Sequence, residues 1–198
     1  MLKLFINTYV KFFFLLTPFF LLTSFLAMTK HLDIPGRRRV AVKATLAIVA
    51  VCVTLLFIGK QIFAVFGITL NSFRIGTGIL LFLSSITLVS GGAATQAFEE
   101  GHDISVVPLA IPIAVGPATT GALLVMGVGL GSMTELLMGL AGLLSAIASA
   151  GTLLFLSGSI ERVVGRQGLT ILSKITGLVL AALAAEMVMT GVLGFLGR

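Results

Sequence analysis

The sequence predicts an all-α polytopic membrane protein. It is expected to have six transmembrane helices as two inverted three-helix repeats, with helices 1 and 4 interrupted at proline. Three observations lead there. Of the 198 residues, 58% are hydrophobic and only 10% charged, whereas soluble domains carry about 25% charged residues. Six apolar stretches each reach the ~20 residues that a spanning helix needs. Proline and glycine landmarks recur at one offset, 99 residues, which is half the chain. The mean hydropathy of +1.18 fits this class.

The first span is expected over residues 7–29, with Pro18 inside it. Lys3 and Lys11 precede its apolar run, as they would in a signal peptide. That run, residues 12–28, is long, and no clear small-x-small cleavage site follows, so it reads as a span. Spans two and three are expected over 43–66 and 72–92, span four over 106–128, span five over 134–157 and span six over 171–196. All loops are short, so residues 1–198 form a single transmembrane domain, with repeat 1 about 1–99 and repeat 2 about 100–198.

The net charge of +6 would suggest nucleic acid in a soluble protein. Here the loop at 30–42 holds Lys30, Arg37, Arg38 and Arg39 against Asp33 alone, and Lys43 follows. Topology explains such a cluster, so no nucleic-acid partner is expected. The positive-inside rule places this loop in the cytoplasm. Six crossings of the cell inner (plasma) membrane then leave both termini outside. Arg162 and Arg166 in the fifth loop agree. The third loop carries Glu99, Glu100 and Asp103, which weigh little in the rule. Lys60 and Arg74 flank an outer loop, argue mildly the other way and read as snorkelling helix ends, with contact to an anion as the alternative for Arg74. With no Trp and one Tyr, the usual aromatic belt is thin.

The repeat is visible in Pro18 and Pro117, in Thr77-Gly78 and Thr176-Gly177, and in Gly92 and Gly191, each pair 99 residues apart. A three-span unit must insert its second copy upside down. Inverted repeats with interrupted helices at matching positions are a signature of secondary transporters, in which the broken helices meet around the solute. Residues 108–121 carry three prolines and two glycines, and Gly116-Pro117 is followed by Thr119 and Thr120. Thr17 precedes Pro18, and Thr23 follows. The candidate substrate-binding residues are therefore Thr17, Pro18, Thr23, Gly116, Pro117, Thr119 and Thr120. Freed N–H groups would suit a carboxylate and freed carbonyls an ammonium. The bland alternative is a pair of packing kinks. Pro108 is expected in the first turn of span four, where proline is tolerated, which leaves Pro117 as the break.

Glu186 lies in the middle of span six. A carboxylate there costs on the order of 3 kcal/mol unless paired, hydrated or protonated. It reads as a proton-coupling or cation-binding group, or else as a protonated carboxyl that only bonds another helix. The sequence offers no obvious cationic partner at that depth. Gly76, Thr77 and Gly78, with Thr176-Gly177, read as helix-packing positions. Gly127, Gly129 and Gly131 read as a turn.

Enzyme signatures are absent, so no catalytic residues are expected. His31 and His102 fall in loops, and no metal-ligand spacing is visible. Cys52 is the only cysteine, leaving no disulfide within the chain and no thiolate metal site. No metal or cofactor is expected.

Residues 108–120, Pro-Leu-Ala-Ile-Pro-Ile-Ala-Val-Gly-Pro-Ala-Thr-Thr, resemble the Leu-Pro-Leu-x-Ala-Gly-Pro-Gly-x-Ile-Thr-Thr region of the MarC family, also called UPF0056 or NAAT. Residues 73–82, Phe-Arg-Ile-Gly-Thr-Gly-Ile-Leu-Leu-Phe, are similar to that family's start of span three. Arg37, Arg38 and Arg39, with Ala41, Lys43 and Ala44, resemble its basic first loop. The resemblance covers essentially the whole chain. It implies a six-span inner-membrane protein of the LysE-like superfamily that moves small neutral amino acids. Two departures fall in the candidate site. The family's Asn-Pro-x-Gly-x-x-Pro becomes Thr17-Pro18-Phe19-Phe20-Leu21-Leu22-Thr23, and Ala118 stands where a Gly usually follows Gly-Pro.

The expected function is a secondary transporter or exporter of a small neutral solute, an amino acid first, with proton coupling through Glu186. The alternative is a non-transporting membrane scaffold. The expected partners are the solute and the lipid bilayer, and assembly as a homo-oligomer is left open.

Overall fold

The computed structural model describes residues 2–91 and 105–197. Glu99, Glu100, His102, Asp103 and Gly92 lie outside the described residues, as does the side chain of Lys60. Among the described residues the chain is helical throughout: α1 (Leu2–Leu15), α2 (Pro18–Met28), α3 (Ile34–Phe66), α4 (Leu70–Ser90), a distorted segment (Ser105–Ala114), α5 (Pro117–Gly129), α6 (Met133–Phe155) and α7 (Ser157–Phe195). Five helical runs are long and apolar enough to cross a membrane, with Leu2–Met28 counted as one. A sixth is gained if the distorted segment and α5, bent by 73°, are taken together. Large apolar side chains face outward, among them Phe82 and Leu83 on α4 and Ile175 and Leu178 on α7. Lipid accepts such a surface and water does not. The chain is a multi-pass integral membrane protein.

Three expectations are corrected. Residues 30–42 are not all loop: only 30–33 lie outside helix. Asp33 Oδ1 accepts from the Gly36 N–H at 2.9 Å, and Pro35 fits the first turn, so α3 starts at Ile34. Arginine is a good helix former, so the helix outruns its apolar part. Arg37 Nε turns back to the Thr29 carbonyl at 3.0 Å and ties α3 to the end of α2. Likewise α7 starts at Ser157, well before residue 171, and bends at Gly165 (φ 71°), so Arg162 and Arg166 lie in helix. Pro108 is not in the first turn of a helix. Val107 and Ile111 each precede a proline and adopt extended geometry (φ −122°, ψ 119° and φ −131°, ψ 123°), as pre-proline residues do. Both peptide bonds into these prolines are cis. Residues 105–116 are therefore broken repeatedly, and Pro117 opens α5.

The core is built where α1 and α2 enter the bundle. Phe12, Leu16, Leu21, Leu22 and Phe25 are fully buried, together with Leu109, Leu123, Leu143 and Ile147. Helix α4 packs along α7, α1 along α6, and α3 against α5 and α6. Glycines permit these contacts. A Cβ on Gly78 would sit 3.0 Å from the Ala184 carbonyl and 2.6 Å from Val188 Cγ2. A Cβ on Gly177 would sit 3.1 Å from the Ser85 carbonyl and 2.9 Å from Val89 Cγ2. Gly127 is not part of a turn; it lies in α5, facing the Leu56 carbonyl of α3.

Candidate functional site

The two helix interruptions meet. Helix α1 ends at Leu15, and α2 begins at Pro18 in the N1 position, where a missing N–H is tolerated. Helix α5 begins at Pro117 in the same way. Between them lies a cavity of about 230 Å³ lined by Thr17, Gly116, Pro117 and Thr119, with Pro112 beside them. Four of the seven expected residues are thus brought together. Pro18 is buried and opens α2, Thr23 donates to the Phe20 carbonyl of its own helix at 2.8 Å, and the Thr120 N–H donates to the Gly116 carbonyl at 2.9 Å. None of these three lines the cavity.

Thr119 is only 2% exposed. Its hydroxyl donates to the Leu15 carbonyl at 3.0 Å and lies 3.4 Å from the Ala114 carbonyl. Leu15 is the last residue of α1, and Ala114 the last of the distorted segment. One hydroxyl therefore serves carbonyls that two broken helices leave without a helical partner. Across the cavity, α4 contributes Ser84 and Thr87, which sequence reasoning missed. Their three-residue spacing puts both on one helix face, a signal the sequence did carry.

Thr17 joins α1 to α2 in the left-handed region, at φ 46° and ψ 58°. A β-branched residue is strained there. We expect Thr17→Gly to raise the melting temperature in detergent, by about 1 kcal/mol of relieved strain. A lower melting temperature would show that the threonine's own contacts outweigh the strain.

Glu186 does not line this cavity. It lines a second one, of about 550 Å³, together with Asn7, Lys11, Arg74 and Thr190. The sequence suggested no cation at the depth of Glu186, but Lys11 on α1 and Arg74 on α4 line the same cavity without closing an ion pair to it. Arg74 is half-buried and lines this cavity, so it is more than a headgroup anchor. The missed signal was Asn7 and Lys11, four apart and therefore on one face of an apolar helix.

The cavities follow one another along the same helices. On α1, Phe14 lines the charged cavity and Leu15 the hydroxyl-lined one. On α7, Leu183 and Leu180 divide in the same way, as do Val125 and Thr119 on α5. At the opposite end of the bundle, Arg37, Arg38 and Arg162 share a cavity of about 300 Å³, so the first and fifth connections lie together. Among the described residues, no group of three or more His, Cys, Asp or Glu could hold a metal ion.

An apolar bundle of five or six candidate spans defines a multi-pass integral membrane protein. The chain belongs to the MarC family: the description "MarC family integral membrane protein" matches residues 2–196. It is 32% identical over 203 residues to a UPF0056 membrane protein of Methanocaldococcus jannaschii, covering 98% of each chain. A UPF0056 membrane protein of Pyrococcus abyssi is 29% identical over 201 residues, covering 99% of this chain and 98% of its own. One from Escherichia coli is 31% identical over 171 residues, covering 80% of this chain and 78% of its own. No solved structure matches the chain.

Proposed function

We propose that this protein is a secondary transporter or exporter of small neutral solutes, amino acids first, driven by proton movement through Glu186. The observation that carries this reading is the cavity where the two interrupted spans meet, bounded by Thr17, Gly116, Pro117 and Thr119. Broken helices facing a solute are the recurring device of secondary transporters. A non-transporting scaffold would have its kinks packed shut, and a cavity of about 230 Å³ at the junction argues against that.

The inverted repeat belongs to the same proposal, and the glycine contacts support it. Adding 99 to Ser85 and Val89, which face Gly177, gives Ala184 and Val188, which face Gly78. Such reciprocity is what a two-fold exchange of α4 and α7 requires. Pro18 and Pro117, also 99 apart, each open the second half of a span. The shared end of Arg37, Arg38 and Arg162 supports a cytoplasmic placement for the first and fifth connections and external termini.

Purified protein in liposomes is expected to move Gly, Ala and Ser faster than amino acids with larger side chains. Glu186→Gln is expected to remove the dependence of that flux on a proton gradient while leaving the fold intact. No flux of any small solute would refute the transport reading. Undiminished proton-driven flux in the variant would remove Glu186 from the coupling.

A further inference from the structure

The larger cavity holds two cations for which the proposed route has no role. Lys11 is the tenth residue of α1, and Arg74 the fifth of α4. Both are half-buried, and both face the cavity that Glu186 lines. We propose that Lys11 and Arg74 form a binding site for the carboxylate of the transported solute. Only the word transported rests on the function proposed above; the binding claim stands by itself.

Charge balance comes first. Lys11, Arg74 and Glu186 sum to one net positive charge. An uncompensated cation inside an apolar bundle is costly, and a bound carboxylate offsets it. Among the described residues, Glu186 closes no ion pair with either cation, so all three charges remain available to a ligand.

Geometry and chemistry agree. Arginine presents a planar fork that matches a carboxylate, and lysine adds a mobile point charge. Asn7 and Thr190 supply neutral hydrogen-bonding groups, while Val10, Phe14, Val179 and Leu183 supply apolar wall. About 550 Å³ is ample for a small solute with some water. Glu186, on the same cavity, can face an ammonium. The site therefore accepts a zwitterion or a simple monocarboxylate, and the shared chemistry is the carboxylate. A solute held here lies one helical turn of α1 and α7 from the hydroxyl-lined cavity.

The test is calorimetric titration of the purified full-length protein with alanine, propionate and ethylamine. Alanine and propionate are expected to bind, and ethylamine is not. Lys11→Met and Arg74→Gln are each expected to weaken both ligands tenfold or more. Glu186→Gln is expected to weaken alanine but not propionate. The proposal is overturned if ethylamine binds as tightly as alanine, if nothing binds, or if equimolar chloride displaces propionate. It is also overturned if Lys11→Met and Arg74→Gln leave the affinities unchanged. Should those variants fail to fold, the comparison of three ligands on the unaltered protein decides, with Lys11→Arg and Arg74→Lys as folded intermediates. Binding without flux in liposomes would sink the transport reading alone. Flux with no carboxylate preference would sink this one alone.

Discussion

Gly127→Ala is expected to destabilise the bundle by about 3 kcal/mol, the upper range for overpacking a tight contact, and Gly127→Leu to prevent folding. A Cβ at Gly127 would collide with the Leu56 carbonyl oxygen of α3. That oxygen is backbone and already committed to its helix, so it cannot swing aside as a side-chain terminus would. The same contact is made in reverse about one turn away, where a Cβ on Gly59 of α3 would sit 2.8 Å from the Leu124 carbonyl oxygen of α5. The two helices touch backbone to backbone at both points, the close approach that small residues allow in membranes. Adding one methyl group must push α3 and α5 apart. Helix α5 also carries Thr119, so the cavity should open with the same shift. Gly129→Ala is the control: it lies in the same helix with nothing within 4 Å of its Cβ, and helix propensity favours the change. Circular dichroism melts in detergent would separate the two. Equal melting temperatures for both alanine variants would show that α3 and α5 are not in contact there.

The same glycine shows what the sequence could and could not convey. Gly127 lies beside Gly129 and Gly131, and clustered glycines suggest a turn. Only the opposing α3 backbone reveals that Gly127 is a contact and Gly129 is open. Class and an approximate span number, five or six against the six expected, were legible because ~20 apolar residues are a local property of the chain. Helix ends were not, because hydropathy ignores Asp33, Pro35 and the arginines that carry α3 beyond its apolar part. Four of the seven residues named from the sequence line the cavity because Pro18 and Pro117, each lacking an N–H, open α2 and α5 beside it. The charged cavity was hidden because Lys11, Arg74 and Glu186 come from three helices, and each alone resembles a snorkelling or isolated charge. Their meeting depends on the antiparallel packing of α1 and α4 against α7, which the sequence pattern does not encode directly.

Thr119→Val is expected to lower stability by about 1–3 kcal/mol, the cost of leaving a buried carbonyl unsatisfied, and, on the transport function proposed above, to cut solute flux at least about tenfold. Valine keeps the shape and removes the hydroxyl, so packing is nearly unchanged. What is lost is the donor to the Leu15 carbonyl, which links the end of α1 to the start of α5. Leu15 is buried, so the freed carbonyl gains no bulk water. The ends of the two interrupted spans then lose this shared polar contact, and the cavity between them loses a fixed wall. A mispositioning worth about 1.4 kcal/mol already costs tenfold in affinity. Thr119→Ser restores the donor and is expected to recover both stability and flux. Thr120→Val, one residue along and outside the cavity, is expected to change little. Uptake in liposomes, read beside melts of the same preparations, separates the structural from the functional part. If Thr119→Val melts lower but transports normally, the hydroxyl is only a clasp between the two breaks. If it melts and transports like the unaltered protein, neither role stands. If flux falls further than the melt accounts for, and serine restores it, the hydroxyl faces the solute as well as the backbone.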